Sequence, residues 1–158
     1  LYRLLNNYYV NQVPNAQVIV EMWRAVGLNA QIEMRENFSQ TTERTPGRAI
    51  RDWSNTSLFG DPVAGILRSF GRNTDAERQG EWTNEEFNRV SDALIAETDM
   101  TRRRAQFRRL LEIVEREDPG LIVLHQAASF TAKRRDIAWR ASKGWALDFR
   151  ANNMRFGA

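Results

Sequence analysis

At 158 residues the chain is long enough for one domain with a core of its own. Its 42% apolar and 27% charged residues exclude a disordered chain, and no run approaches the ~18 consecutive apolar residues of a membrane span. With no cysteine and one histidine, His125, disulfides, thiolate metal sites, iron–sulfur clusters and a cysteine nucleophile are excluded, and little is left for a histidine-rich metal site or a histidine triad.

Net charge is +3, with 23 basic and 20 acidic residues. All but Lys133 and Lys143 of the basic residues are arginine, which points to coding bias rather than recognition. The clusters Arg102-Arg103-Arg104 and Lys133-Arg134-Arg135 lack the coherent basic face with interleaved aromatics that nucleic acid requires, so no nucleic-acid partner is expected. Leu1-Tyr2-Arg3-Leu4-Leu5 has no signal-peptide anatomy, as in a mature or truncated chain or a cytoplasmic protein.

Tyr2 to Leu5 reads as a short strand. Pro14-Asn15 announces a helix with Asn15 as N-cap, Val18, Ile19, Met22 and Val26 as its apolar stripe, and Gly27 at its left-handed end. Leu28, Ala30, Ile32 and Met34 alternate as a half-buried strand, so the opening is a βαβ unit with parallel strands. Residues 37 to 48 read as a loop or short helix, and Ala49 to Trp53 as another strand. Asp61-Pro62 starts a helix whose stripe is Val63, Ile66, Leu67 and Phe70, stopped by Gly71; residues 72 to 81 form a polar loop.

Thr83 to Glu86 fits a capping box, with Thr83 as N-cap and Phe87, Val90, Leu94 and Ile95 as the buried stripe that follows. Asp99 caps the next helix, in which Phe107, Leu110, Leu111 and Val114 face inward and which Pro119-Gly120 ends. Leu121 to Leu124, wholly apolar, reads as a central strand. The tail, with Ala138, Trp139, Trp145, Leu147, Phe149, Met154 and Phe156, reads as short strands and loops.

No catalytic pattern emerges. Glu85-Glu86 suits a helix start, and Glu115, Glu117 and Asp118 sit beside Arg116; both groups read as solvated faces. Arg102-Arg103-Arg104 reads the same way. Ser54, Ser57 and Ser69 lack a nucleophile-elbow context, and Gly60, Gly65 and Gly71 are not spaced as a phosphate loop. His125 is either a satisfied structural histidine or a ligand contact. Trp53, Ser54, Asn55 and Thr56 offer aromatic area, two hydroxyls and an amide before a helix start, which is the make-up of a ligand pocket; the other reading is a core tryptophan followed by a turn.

In order, "AQVIVEMWRAVGLNAQIEM", "DWSNTSLFGDP" and "WTNEEFNRVSDALIAETDMTRRRAQFRRLLEIVEREDPGLIVLH" resemble the family 5 extracellular solute-binding proteins, the dipeptide-, oligopeptide- and nickel-binding receptors of ABC importers. The resemblance implies an α/β fold: a type II periplasmic-binding-protein-like lobe with a mixed sheet flanked by helices. It implies that residues 1–125 are the second lobe and that residues 126–158 are the hinge crossing and a C-terminal tail packing on a missing N-terminal lobe. The function implied is non-enzymatic import of a peptide or related polar solute, held by hinge closure and passed to ABC permease subunits in the periplasm. No cofactor and no metal is expected, and the contacts are Trp53, Ser54, Asn55, Thr56 and His125. Peptide-binding members hold the peptide amine with an Asp near the positions of Asn55 or Thr56, and neither is acidic here. Asp52 could replace it only by facing the cleft, and strand alternation points it opposite to Trp53. The rival reading is the same lobe used as a sensory or protein-interaction module, with an apolar tail patch around Trp139 and Trp145.

Overall fold

Alternating side chains at the start of the chain fold as the middle strand of a small parallel sheet. The structure, a computed structural model, describes residues 1–5, 11–43, 50–52, 54, 61–126, 128, 130–141 and 147–157. It is mixed α/β and divides into two compact units, Leu1–Ser54 and Asn55–Ala158.

In the first unit, β1 (Tyr2–Leu5) pairs in parallel with β2 (Ile32–Arg35) on one side and β3 (Ile50–Arg51) on the other. The strand order is β2-β1-β3. β1 is buried along its whole length, as a central parallel strand covered on both faces must be. On one face Tyr2 and Leu4 meet Ala16 and Val20 of helix α1 (Gln12–Ala25), with Trp23 tilted against Tyr2 at 5.5 Å between ring centroids. On the other face Arg3 is wholly buried and reaches helix α2 (Phe38–Thr42): its Nε donates to Glu33 Oε2 (2.6 Å) and its Nη1 to the carbonyls of Gln40 (3.1 Å) and Glu43 (2.8 Å). The expected βαβ unit is thus present, and the strand expected over 49–53 is present as Ile50–Arg51, with Ala49 and Trp53 outside the described residues.

Details of α1 differ from the expectation. It starts at Gln12, after Asn11 in a left-handed conformation, so Pro14 lies inside the first turn, where no N–H is needed, and Asn15 is not the cap. Its buried stripe is Ala16 and Val20, with Val13, Ile19 and Trp23 half-buried, while Val18, Met22 and Val26 are exposed. Small Ala16 lets the helix approach the sheet and Trp23 covers Tyr2, so this stripe outcompetes the other. Gly27 has φ +88° and ends the helix as expected. Asn37 and Gln40 close a capping box at α2.

The second unit is built on α3 (Val63–Phe70), α5 (Glu85–Ala96) and α6 (Met100–Glu112), with a single turn, α4 (Asp75–Arg78), in the segment expected as a loop. Val63, Ile66, Phe87, Leu94, Leu110, Ile113 and Val114 form its core. Phe70, Trp82 and Phe87 pack edge to face with centroids 5.1 to 6.4 Å apart. Asp61 Oδ1 accepts from the Val63 N–H (3.0 Å), and Asp99 Oδ1 accepts from the Thr101 and Arg102 N–H groups, so both expected acidic caps are made. The cap of α5 is Asn84, not Thr83: Asn84 Oδ1 accepts from the Phe87 N–H (2.9 Å), and Nδ2 is held by Asp118 (2.9 Å). Ile95 is exposed, and Asn88 and Ser91 take the buried positions instead. Gly71 stops α3 in an extended conformation, not a left-handed one.

α6 passes into a π-helical turn (Ile113–Glu117), and Trp82 Nε1 donates to the Asp118 carbonyl (3.0 Å). The apolar run Leu121–Leu124 is not a strand. Leu121 packs on the core, whereas Ile122 and Val123 are 72% and 67% exposed. A strand needs a ladder partner, and none pairs with this run among the described residues; apolar composition alone does not supply one. In the tail, β4 (Ile137–Trp139) and β5 (Met154–Phe156) form the expected short strands, paired antiparallel.

Candidate functional site

The sheet of the first unit directs attention to its carboxyl edge. From β1 the chain crosses through α1 to β2 on one side, then returns through α2 to β3 on the other side. The order therefore reverses between β1 and β3. In open parallel sheets ligands usually lie beyond the carboxyl ends of the strands, where neighbouring connections leave in opposite directions; the connection that leaves β3 runs outside the described residues. The Asp52 N–H donates to the Arg3 carbonyl (3.0 Å), carrying the ladder one residue past β3. The next residues in sequence are Trp53, Ser54, Asn55 and Thr56. Ser54 is half-buried and closes the first unit; Trp53, Asn55 and Thr56 lie outside the described residues.

Alternation and register put Asp52 on the face of Tyr2, Leu4 and Ile50, the face that α1 covers. Its charge is felt there: burial, reinforced by the Asp52 carboxylate, pushes the Tyr2 phenol up to about 12. Asp52 thus acts on Tyr2. Arg51 shares the opposite face with Arg3. Arg3 went unremarked at the sequence level, because a single arginine in a four-residue strand gives no pattern that separates a buried clamp from a solvated side chain.

His125 belongs to the second unit, in the irregular segment after Leu121, and its side chain is exposed. It is not a core histidine.

Several charged groups of the helical part of the second unit hold its elements together. Arg109 bonds Glu86 through Nε and Nη2 (2.9 and 3.0 Å) and Glu117 through Nη1 and Nη2 (2.5 and 2.9 Å), and holds both carboxyls below their ordinary range. Glu86 and Glu117 are therefore anchors of one arginine and not an acid–base pair. Arg103 is not part of a solvated face: it is half-buried, donates to the carbonyls of Leu94 (2.8 Å) and Glu97 (3.3 Å) at the end of α5, and pairs with Asp61. Arg102 pairs with Glu97 (2.8 Å) and, with the Asp99 N–H, lowers the Glu97 carboxyl to about 2. Among the described residues no group of three or more His, Asp or Glu side chains could hold a metal ion, and no helix is long and apolar enough to cross a membrane. The expected aromatic patch of the tail is partly folded away: Trp139 is half-buried, stacked on Phe149 at 5.8 Å, and donates to the Asp148 carbonyl (2.7 Å); Trp145 lies outside the described residues.

No family model matches the chain, and no curated protein matches it.

Proposed function

We propose that the chain is a solute-binding lobe of the type II periplasmic-binding-protein kind, from a non-enzymatic receptor that delivers a peptide or related polar solute to an ABC permease. The observation that carries this reading is the position of Trp53 to Thr56 in the chain. In sequence they come one residue after β3, the strand paired to central β1. The resemblance of the chain to family 5 solute-binding proteins points to the same four residues. Trp53 would supply stacking area, and Ser54, Asn55 and Thr56 hydrogen bonds.

The ligand class follows from the acid that is missing. A buried ammonium requires a charged partner. Asn55 and Thr56 are neutral, and Asp52 lies on the helix-covered face. The reading therefore favours a blocked peptide, a sugar or an opine-like solute over a peptide with a free amino terminus. The test is a thermal-shift screen of the full-length protein against paired peptides, free and N-acetylated, and a panel of polar solutes. Stabilisation by a neutral or blocked solute is the expected result; no stabilisation across the panel refutes the reading.

The second reading, a sensory or protein-interaction lobe, draws on exposed apolar residues in the second unit, Ile122, Val123 and the 94%-exposed Phe130. It predicts capture of a folded protein partner in place of a solute, and loss of that capture in Phe130→Ser.

A further inference from the structure

We propose that the tail hairpin carries a second binding site, specific for a phosphate group. In the β4–β5 pair Ala138 stands opposite Arg155, so both point to one side; Ile137, Trp139, Met154 and Phe156 alternate to the other side. Two residues beyond Ala138 is Arg140, and two before Arg155 is Asn153. Asn153 Nδ2 donates to the Arg140 carbonyl (2.8 Å) and to the Asp148 carbonyl (2.8 Å), which fixes the backbone that bears Arg140. The result is an open cleft of about 470 Å3 with small Ala138 among its lining residues and Arg140, Arg155 and Lys133 around it. Asn152 contributes an amide, and Trp139 lines one edge. Lys133 is held in position by its own bond to the Ile137 carbonyl (2.5 Å).

The charge balance of this cleft is one-sided. The two carboxylates of the hairpin region are already committed: Asp136 to Arg134 (2.9 and 2.5 Å) and Asp148 to Arg150 (2.8 Å). The Arg150 guanidinium lowers the Asp148 carboxyl to about 2, so it stays ionised with its own partner. Among the described residues no carboxylate pairs with Lys133, Arg140 or Arg155, and none lines the cleft. Arg140 and Arg155 are diagonal neighbours on one face, an arrangement of like charges that is unfavourable until an anion lies between them. Two guanidinium forks and one ammonium outnumber the charge of a carboxylate and suit the several oxygens of a phosphate. The volume leaves room for the rest of a phosphorylated small molecule or for a lipid headgroup.

This site stands independently of the solute reading, because it uses none of Trp53 to Thr56. The test titrates the full chain with inorganic pyrophosphate at constant ionic strength, followed by calorimetry. Saturable binding of one pyrophosphate is expected, weakened at least about tenfold by Arg140→Gln with Arg155→Gln, since each removes a charge-assisted bond. Arg134→Gln, whose partner is Asp136, and Trp53→Ala should leave the affinity within about twofold. Ala138→Glu keeps both arginines but places a carboxylate in the cleft. It should abolish binding without loss of the hairpin's amide-exchange protection, so a folding defect is told apart from a lost site. A parallel arm uses phosphatidylcholine vesicles with and without phosphatidic acid. Binding there assigns the phosphate to a lipid, and binding to pyrophosphate alone assigns it to a soluble ligand. Absence of binding in both arms, or an equal loss in Arg134→Gln and in the double variant, overturns the proposal.

Discussion

Replacing Arg3 tests how the first unit is held together. Its side chain is wholly buried and joins the middle strand to β2 through Glu33 and to α2 through the Gln40 and Glu43 carbonyls. Arg3→Ala removes the donors to two carbonyls and leaves a cavity the length of the side chain. Breaking a buried charged contact by removing one partner costs about 3–5 kcal/mol. The lower end applies here, because Glu33 is 26% exposed and keeps its pair with Arg35. Arg3→Ala should therefore cost about 3 kcal/mol, and Arg3→Met, which refills the volume with an apolar chain, about half that. Urea unfolding followed by circular dichroism measures the cost, and amide exchange in β1, β2 and α2 locates it. A loss below about 1 kcal/mol for Arg3→Ala, or Arg3→Met as damaging as Arg3→Ala, would refute the reasoning.

In the second unit, Phe87→Ala empties the centre of the aromatic cluster and should cost about 3–5 kcal/mol in the same urea assay. Gly120→Ala places a Cβ 2.9 Å from Phe70 Cε1 and 3.2 Å from Trp82, and should cost about 1–3 kcal/mol, with a change in near-ultraviolet circular dichroism from the two rings. Tyr2 gives the alkaline limb. Its folded pKa, about 12, lies above the ordinary 10.0, so stability is fully present below pH 10 and lost as pH rises towards 12. The loss amounts to roughly 2–3 kcal/mol, and Tyr2→Phe should remove it in melts at stepped pH. Glu97 gives the acid limb. Its folded pKa, about 2, lies below the ordinary 4.5, so its contribution is present above that value and lost as pH falls towards 2; Glu97→Gln should flatten that part of the curve.

Local signals were legible in the sequence wherever a residue's role is decided by its neighbours in the chain. The caps Asp61 and Asp99, the stop at Gly27 and the strand–helix–strand opening are of this kind. Thr83 and Asn84 are both good N-caps, and the choice falls to Asn84 through Asp118, 34 residues away. In α1 two apolar stripes compete, and the sheet, through Tyr2, selects the one containing Ala16 and Val20. Leu121 to Leu124 has strand composition without a described pairing partner. Arg103 sits in a run of arginines that looks solvated, and becomes a half-buried clamp only when the end of α5 and Asp61 meet it. The same limit hid Arg3 and the tail cleft, whose two arginines come together through hairpin register. For the candidate ligand segment, composition and family resemblance pointed to Trp53 to Thr56, while the reversal of strand order that supports them is a property of the sheet alone.

The central claim is that residues following β3 bind a polar solute. The most direct measurement is the calorimetric affinity of the best-stabilising solute for the full-length protein and for its Trp53→Ala variant, with Arg140→Gln as control. The account predicts saturable binding that Trp53→Ala weakens at least about tenfold and Arg140→Gln leaves unchanged, since stacking on a bound solute is lost in the first alone. Equal affinity of the wild-type and Trp53→Ala proteins would contradict it.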